Sequence, residues 1–369
     1  MPSNANSTAT PEGGAISITI DGHTHRDWLR YSIDSDLFTP ADAWQMSLGI
    51  PAGKLPGYVR PWAKVEVREG DSLVLTGRVD GLRRRISKNE SSLELSGRDG
   101  AAVLLDCSAP ILTQREVTVA EVCASMLRSL GVDKIKVQSG GAPYKKVAVE
   151  PGMSAWEVLQ RAAEASGLWP WFEPDGTLVV AAPDYSRPVD AELILNKDGK
   201  GNNVLDITVE ESCNRRYSEV TVLGQSIGGE DDEADTQLKH TVKDNGAWFY
   251  RPLIRDEGHI DSTDMASRRA RKIITDGVMD SLTITARVRG HVIDSGKPWQ
   301  PGMRVRVRSD ALQFDITTML ARRTFLGGRE GTTTQLVLKP WGVWLPDTAK
   351  KPKKRKKKSD GDECDYDFD

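Results

Sequence analysis

Residues 64–86 read KVEVREGDSLVLTGRVDGLRRRI, and this stretch decides the fold. Val65 and Val67 alternate with charged residues, which is the period-two pattern of a half-buried β-strand. The Glu-Gly-Asp triplet at 69–71 predicts a turn, and the alternation resumes from Leu73. The stretch therefore predicts a β-hairpin with one face in a hydrophobic core.

Short alternating segments separated by turn residues surround this hairpin. ISITIDG at 16–22 ends in an Asp-Gly turn, and WQMSLGI at 44–50 and SSLELSGRD at 91–99 are similar strand candidates. Several short strands joined by tight turns are typical of a β-sandwich or a small barrel. Residues 15–109 are therefore predicted to form an N-terminal β-barrel-like domain, after a polar, disordered leader over 1–14.

Two helix signatures lie within residues 110–183. In TVAEVCASMLRSLG, Thr118 can cap a helix, and Glu121, three residues later, completes a capping box. SAWEVLQRAAEASG repeats this arrangement with Ser154 and Glu157. The segment WPWFEPDGTLVVA then has the pattern of a hairpin with a Pro-Asp-Gly turn. This part of the chain is predicted to be a small α+β domain.

Alternating strands return between residues 184 and 347, in segments such as RRYSEVTVLGQ, SLTITARVRG, MRVRVRS and TTQLVLKP. A helical segment near 260–276 interrupts them and carries basic residues in its last turns, as the helix dipole favours. Residues 184–347 are predicted to be a second β-barrel-like region with this inserted helix. The predicted fold class is mainly β with an α+β insertion: two β-barrel-like domains plus a small α+β domain.

The charge distribution argues against a general affinity for phosphate. The chain has 50 basic and 53 acidic residues, a net charge of −3. Eight basic residues fall within 350–358, and six acidic residues follow between Asp360 and Asp369. Like charges in a run repel, so 348–369 is predicted to be a disordered charged tail that folding does not need. Because the rest of the chain is acidic, no specific nucleic-acid partner is expected.

Membrane and disulfide signals are missing from the sequence. No stretch approaches the roughly 18 apolar residues that a membrane span requires, so no membrane insertion is expected. The four cysteines have no paired spacing, which predicts reduced thiols in a cytoplasmically assembled protein. They are Cys107, Cys123, Cys213 and Cys364.

Catalytic motifs are also missing. GIPAGKL, ending at Leu55, has one residue too few between its glycines for a P-loop and lacks the Ser or Thr that holds magnesium. His23 and His25 share a strand face but have no second ligand pair for a metal. Asp34 and Asp36 fit a turn better than a glycosidase carboxylate pair. No enzyme activity, cofactor or metal is predicted.

Two sets of side chains leave two interpretations open. Arg304, Arg306 and Arg308 alternate with valines and share one strand face, which is either an ordinary polar face or a subunit contact through guanidinium–carboxylate pairs. The ten tryptophans favour either core and interface packing or a carbohydrate-stacking platform.

Several segments, in one order, resemble the baseplate hub family of contractile-tail phages, represented by the hub of phage Mu and the late-control D proteins of P2-like phages. GRVDGLRRRISKNESSLELSGRDGAAVLLDCSA resembles the family's N-terminal barrel, and GMSAWEVLQRAAEASGLWPWFEPDGTLVV its middle α+β module. RRYSEVTVLGQ, FYRPLIRDEG, WQPGMRVRV and TTTQLVLKPW follow in the family's order. The resemblance covers about 15–345.

This resemblance implies a structural protein without catalytic residues. It implies a homotrimer whose six barrels form a pseudo-sixfold ring between the sixfold tail tube and the threefold spike. The implied partners are other copies of the chain, the central spike protein, the tail tube or tape-measure protein, and the baseplate wedge proteins. The implied location is the tail baseplate of a virion, after assembly in the host bacterial cytoplasm. The alternative is a cell-wall or carbohydrate-binding tail module.

Overall fold

The structure, a computed structural model, describes residues 16–49, 57–88, 91–110, 113–114, 118–138, 147–149, 151–165, 167–225, 237–257, 262–329 and 331–344. The predicted leader over 1–14 and the predicted charged tail over 348–369 lie outside these residues.

Seven antiparallel strands form the N-terminal part of the fold, in the spatial order β2-β1-β5-β6-β7-β4-β3. They are β1 (Ile16–Ile20), β2 (His23–His25), β3 (Arg30–Asp36), β4 (Ala43–Gly49), β5 (Lys64–Glu69), β6 (Ser72–Ile86) and β7 (Ser91–Asp99). The predicted hairpin over 64–86 is confirmed as β5 and β6, and Gly70 adopts the positive φ that its turn requires.

The hairpin buries its alternating apolar residues as the sequence predicts. Val65, Val67 and Leu75 are fully buried. The pairing register shifts between Val67 and Arg68, and Val74 is buried beside Leu75. A β-bulge of this kind turns extra side chains towards the core and increases the local twist.

The inserted region packs three helices and five short strands around its own hydrophobic core. The elements are α1 (Ala101–Asp106), β8 (Thr113–Gln114), α2 (Val119–Leu127), β9 (Ile135–Val137), β10 (Val147–Ala148), α3 (Ala155–Ala165), β11 (Trp169–Phe172) and β12 (Leu178–Ala181). Helix α1, which falls within the segment predicted as the N-terminal barrel, contributes Ala101 and Leu104 to this core.

Both predicted capping boxes are confirmed. The backbone N–H of Glu121 donates to the Thr118 hydroxyl, and the Thr118 N–H donates to the Glu121 carboxylate at 2.7 Å. Ser154 and Glu157 make the same reciprocal pair at the start of α3, with the Ser154 N–H donating at 2.8 Å. Each box satisfies backbone donors that have no partner inside the helix.

The C-terminal part contains two sheets. Its elements are β13 (Ala191–Ile194), β14 (Val204–Glu211), β15 (Glu219–Gln225), β16 (Gln237–Lys243), β17 (Pro252–Asp256), α4 (Thr263–Ser281), β18 (Leu282–Arg289), β19 (Arg304–Ser309), β20 (Phe314–Gly328) and β21 (Gly331–Pro340). Strands β16, β15 and β17 form a small sheet in that order, and α4 packs on one of its faces. The other strands belong to the main sheet.

The two β-rich parts are joined in one sheet of 13 strands. Strand β20 pairs with β21 and β19, and its C-terminal half also pairs with β3, from Arg322 opposite Asp36 to Gly327 opposite Tyr31. One hydrophobic core runs through both parts. The mainly β fold class is confirmed, but among the described residues the strand pairs form an open path, and neither half closes into a ring.

Helix α4 runs to Ser281 and is longer than the segment predicted near 260–276. The predicted segment ends just before Gly277, and glycine commonly terminates helices. The structure gives this glycine another role. A Cβ atom there would lie 2.5 Å from the carbonyl oxygen of Arg215. The helix therefore continues through Gly277 and lets the backbone at Arg215 approach closely.

Candidate interaction surfaces

The predicted arginine strand is an interior strand of the main sheet. β19 pairs in parallel with β13 and antiparallel with β20, so both of its edges are occupied. The register places Arg306 opposite Glu192 of β13 and Arg308 opposite Asp315 of β20. Alternate residues of neighbouring strands share a face, so these four side chains form one charged cluster.

Arg306 is the centre of this cluster. Its Nε and Nη2 atoms donate to the two carboxylate oxygens of Asp315 at 2.7 Å each, a bidentate geometry. Its Nη1 atom lies 3.4 Å from Glu192. Arg308 lies 3.8 Å from each of the same two carboxylates. The hydrogen bonds from Arg306 hold the pKa of Asp315 below its usual value.

Arg304 has different surroundings from the other two arginines. Its Nη1 atom donates to the carbonyl of Arg187 at 2.8 Å, and its guanidinium lies over the Trp341 ring at 5.2 Å. The three arginines thus share a strand but not a site. Arg306 and Arg308 are paired with carboxylates within the chain, and the role of the three arginines as subunit contacts stays a prediction.

An exposed aromatic face lies on the small sheet. We define it as Trp248, Tyr250 and Ile254, whose exposed fractions are 89%, 79% and 68%. Val220 and Val222 of β15 face α4, so the intervening Thr221 and its neighbour Ile254 face away from the helix. Within the described residues, β17 pairs only with β15 and is an edge strand of this sheet.

Sequence reasoning did not single out this face. A signal was present in WFYRPLIRD at 248–256, where three aromatic residues precede a strand that begins with proline. Proline cannot donate to a sheet ladder, so Pro252 marks an edge strand. Large exposed apolar residues beside an unpaired edge are typical of a protein–protein contact.

Five of the ten tryptophans line a cavity of about 390 Å³ where the inserted region meets the main sheet. Its aromatic lining includes Trp169, Trp171, Trp341 and Trp344. Trp344 packs edge-to-face against Trp169 and Phe38, with both pairs of ring centroids 5.3 Å apart. These rings pack on one another and on neighbouring side chains. This packing favours the interpretation that these tryptophans belong to the core.

A buried charged group borders the same cavity. Asp42, Asp99 and Arg323 all line it, and burial raises the pKa of Asp42 to about 6 although the Arg323 charge opposes this shift. Burial also raises the pKa of Asp99. Arg323 donates to the carbonyls of Trp299 and Ile33 at 3.1 and 3.0 Å, and thereby connects β20 to β3.

The residues considered for metal or acid chemistry have structural partners. His23 stacks on Tyr58 with centroids 3.9 Å apart, and His25 lies 3.3 Å from the Tyr58 hydroxyl. Asp34 accepts hydrogen bonds from Arg322 and Thr324 across the β3–β20 junction. No group of three metal-ligating side chains occurs among the residues that the structure describes. None of the described helices is long and apolar enough to cross a membrane.

Comparison with known proteins gives likenesses along nearly the whole chain. Four family models match in succession: the N-terminal domain of Mu phage baseplate assembly protein GpP-like (residues 15–99), the second domain of baseplate hub protein gp44-like (101–182), the third domain of tail protein NMB1110-like (216–274) and a tail protein C-terminal domain (276–343). Baseplate hub protein gp44 of Escherichia phage Mu is 24% identical over 357 residues, which is 92% of each chain.

Two solved structures extend these likenesses to the fold. A tail protein from Neisseria meningitidis MC58 is 35% identical with a TM-score of 0.76, over 91% of this chain and 99% of that one. The 43 kDa tail protein of prophage MuSo2 from Shewanella oneidensis is 22% identical with a TM-score of 0.78, over 90% and 99% of the two chains, and shares the fold. This chain therefore belongs to the family of phage tail proteins that includes the Mu-type baseplate hubs.

Proposed function

We propose that the protein is the structural hub of a contractile-tail baseplate and works as a homotrimeric ring between the tail tube and the central spike. The observation that carries this proposal is the end-to-end likeness to tail and hub proteins, including 35% identity over 91% of the chain. A structural role needs an extensive, rigid β framework rather than a catalytic centre. The continuous 13-strand sheet with its single core is such a framework.

The aromatic face supports the proposal that the chain assembles with other copies. Trp248 and Ile254 are large apolar side chains exposed to solvent in the single chain. An uncovered edge strand with apolar side chains invites aggregation, and a closed ring covers such edges. We assign this face to the contact between neighbouring subunits.

The remaining partners follow from the position of a hub. They are the central spike protein, the tail tube or tape-measure protein, and the wedge proteins of the baseplate. The location is the tail baseplate of a virion, after assembly in the host bacterial cytoplasm.

We further propose that the protein has no enzyme activity. Peptidoglycan zymograms and nucleotide hydrolysis assays are expected to stay blank, and activity lost on one carboxylate substitution would contradict this.

The second candidate function is a cell-wall or carbohydrate-binding tail module. The observation in its favour is the tryptophan-lined cavity. Sugar stacking needs an open ring face, but Trp344 is only 7% exposed and Trp341 is covered by Arg304 and Tyr185. Pull-down on purified peptidoglycan distinguishes the candidates. The hub proposal expects no retention, and retention lost in Trp171→Ala would favour the carbohydrate module.

Negative-stain imaging of the purified protein tests the hub proposal through its shape. Ring-shaped particles with threefold symmetry are expected, alone or after addition of the cognate spike protein. The double variant Trp248→Ser with Ile254→Ser should lose the rings while keeping its melting temperature. Leu312→Ser is the matched control, because Leu312 is 45% exposed outside the small sheet. Elongated single particles under all these conditions would contradict the proposal.

A further inference from the structure

A wide groove with an arginine-rich rim crosses the junction of the two β-rich parts. Its volume is about 1300 Å³, and strands β3, β4, β18, β20 and β21 supply its walls. A smaller depression of about 420 Å³ continues it towards the end of β6 and shares Arg30 and Arg329 with it. Together they are lined by six arginines and one described carboxylate, that of Glu94. The arginines are Arg30, Arg83, Arg85, Arg287, Arg289 and Arg329.

Among the described residues, the arginines of the groove outnumber the carboxylates that pair with them. Glu94 lies 2.9 Å from Arg30 and 4.0 Å from Arg83, so one carboxylate serves two arginines. Arg287 pairs with Asp206 at 2.7 Å. Arg85, Arg289 and Arg329 have no carboxylate within 4.0 Å among the described residues. The chain as a whole has a net charge of −3, so this groove has the opposite sign to the average surface.

Apolar side chains also line the groove. Tyr31 and Met46 are buried beneath it, Leu326 is half-buried, and Leu205 is 39% exposed at its side. Gly327 packs on the Tyr31 ring, where a Cβ atom would lie 2.2 Å from the ring carbons. An occupant therefore meets Leu205 and Leu326 among basic and uncharged polar side chains.

We propose that this groove binds the acidic C-terminal segment of the same chain, DGDECDYDFD at 360–369. Its last five residues alternate strictly, Asp-Tyr-Asp-Phe-Asp. In an extended peptide, consecutive side chains lie on opposite sides. Tyr366 and Phe368 would therefore share one side, and the aspartates at 365, 367 and 369 the other. The aromatic side can pack on Leu205 and Leu326, and the six acidic residues of the segment match the arginines of the groove.

The length of the chain allows this contact. The last described residue, Trp344, packs near Met319 of β20, and the groove begins at Leu326, about seven residues further along that strand. At about 3.3 Å per strand residue this separation is roughly 23 Å. The fifteen residues from 345 to 359 can span up to about 50 Å. A tethered segment also has a high effective concentration at its site, of the order of mM for a short flexible connection.

The shape of the groove favours a peptide over DNA. A duplex presents phosphates but no exposed aromatic rings to pack on Leu205 and Leu326. The acidic remainder of the surface also repels a long polyanion. A short segment with acids on one side and aromatic rings on the other satisfies both parts of the groove. The proposal does not depend on the trimer.

Photo-crosslinking in the full-length chain tests the proposal. Benzoylphenylalanine in place of Phe368 is expected to crosslink within one chain to residues of β3, β4 or β20, as read by mass spectrometry of the monomer band. Arg289→Glu with Arg329→Glu should lower the yield at least fivefold. Arg128→Glu with Arg271→Glu is the control, because it makes the same charge change at exposed positions outside the groove. Both variants should keep the parental melting temperature.

Several outcomes would overturn the inference. They are crosslinks to the basic run at 350–358 or to other surfaces, adducts only between two chains, and no adduct at all. An undiminished yield in the groove variant at unchanged stability would also do so. Equimolar duplex DNA should leave the yield unchanged at 0.15 M salt, and suppression by DNA would assign the groove to nucleic acid instead. Raising the salt to 0.5 M should lower the yield, because screening weakens exposed ion pairs.

Discussion

The hydroxyl of Tyr31 and the Nε2 atom of His291 lie 2.8 Å apart in a buried hydrogen bond that joins the N-terminal strands to the C-terminal ones. The other ring nitrogen of His291 lies 2.9 Å from the Thr334 hydroxyl. Burial, together with the nearby Arg323 charge, lowers the pKa of His291 to about 3, so the ring is neutral. The two β-rich parts are thus connected by polar contacts inside the shared core as well as by strand pairing.

Tyr31→Phe is expected to destabilise the fold by about 1–3 kcal/mol, because it leaves a buried ring nitrogen of His291 without a partner. Urea denaturation measures the change in the free energy of unfolding. Tyr58→Phe is the matched control, since its hydroxyl lies 3.3 Å from His25 in a more exposed setting. Similar losses in both variants would contradict a special role for the Tyr31–His291 contact.

Glu69 predicts an unusual pH dependence. Both of its carboxylate oxygens are buried and have no hydrogen-bond partner among the described residues, and burial raises the pKa to about 7 from 4.5. Between these values the folded protein keeps a proton that the unfolded chain releases. The contribution of the Glu69 carboxyl to the free energy of unfolding therefore falls as the pH rises from 4.5 to 7, and it stays constant above that range.

Glu69→Gln is accordingly expected to raise the melting temperature at pH 8 and to change it little at pH 4.5. Differential scanning calorimetry at both pH values measures this difference. Glu66→Gln, on the same strand but exposed, is the control and should not become more stable at pH 8. An equal gain in melting temperature at both pH values would show that ionisation of the Glu69 carboxyl is not the cause of the gain.

Gly277→Ala should destabilise the fold, although alanine is favoured over glycine in most helices by about 1 kcal/mol. The added methyl would lie 2.5 Å from the Arg215 carbonyl oxygen, so the helix or the 215–216 backbone must move. Thermal unfolding measures the sign of the change. Gly57→Ala is the control, because nothing lies within 4 Å of its Cβ position. A stabilised Gly277→Ala protein would refute the close contact.

Arg306→Ala is expected to lower the free energy of unfolding by less than about 1 kcal/mol, because exposed ion pairs contribute little and are screened by salt. A double-mutant cycle with Asp315→Ala isolates the pair, and its coupling should shrink in 0.5 M salt. A coupling energy that does not respond to salt would contradict this view. The predicted role of this face as a subunit contact requires a different result, a change in oligomer mass at unchanged stability.

Local structure could be predicted from the sequence because its signals are local. The β5–β6 hairpin depends on alternation and a turn within 64–86, and both capping boxes depend on residues three positions apart. The end of α4 could not be predicted. Gly277 is a helix terminator by pattern, and only its contact with the backbone at Arg215 shows why the helix continues.

Contacts between distant parts of the chain could not be read from the pattern. The pairing of β3 with β20 joins residues nearly 300 positions apart, and no periodicity specifies which edges meet. The intrachain partners of Arg306, Glu192 and Asp315, come from two other strands. The groove likewise collects arginines from several strands. Its charge becomes visible only when the fold is known.

Sedimentation velocity over a range of protein concentrations, with and without the cognate spike protein, tests the trimeric hub most directly. We expect a species of three times the chain mass that becomes dominant as concentration rises or when the spike is added. The Trp248→Ser with Ile254→Ser variant should sediment as a monomer under the conditions in which the parent is a trimer. A parent protein that stays monomeric at every concentration and in the presence of the spike would refute the trimeric hub.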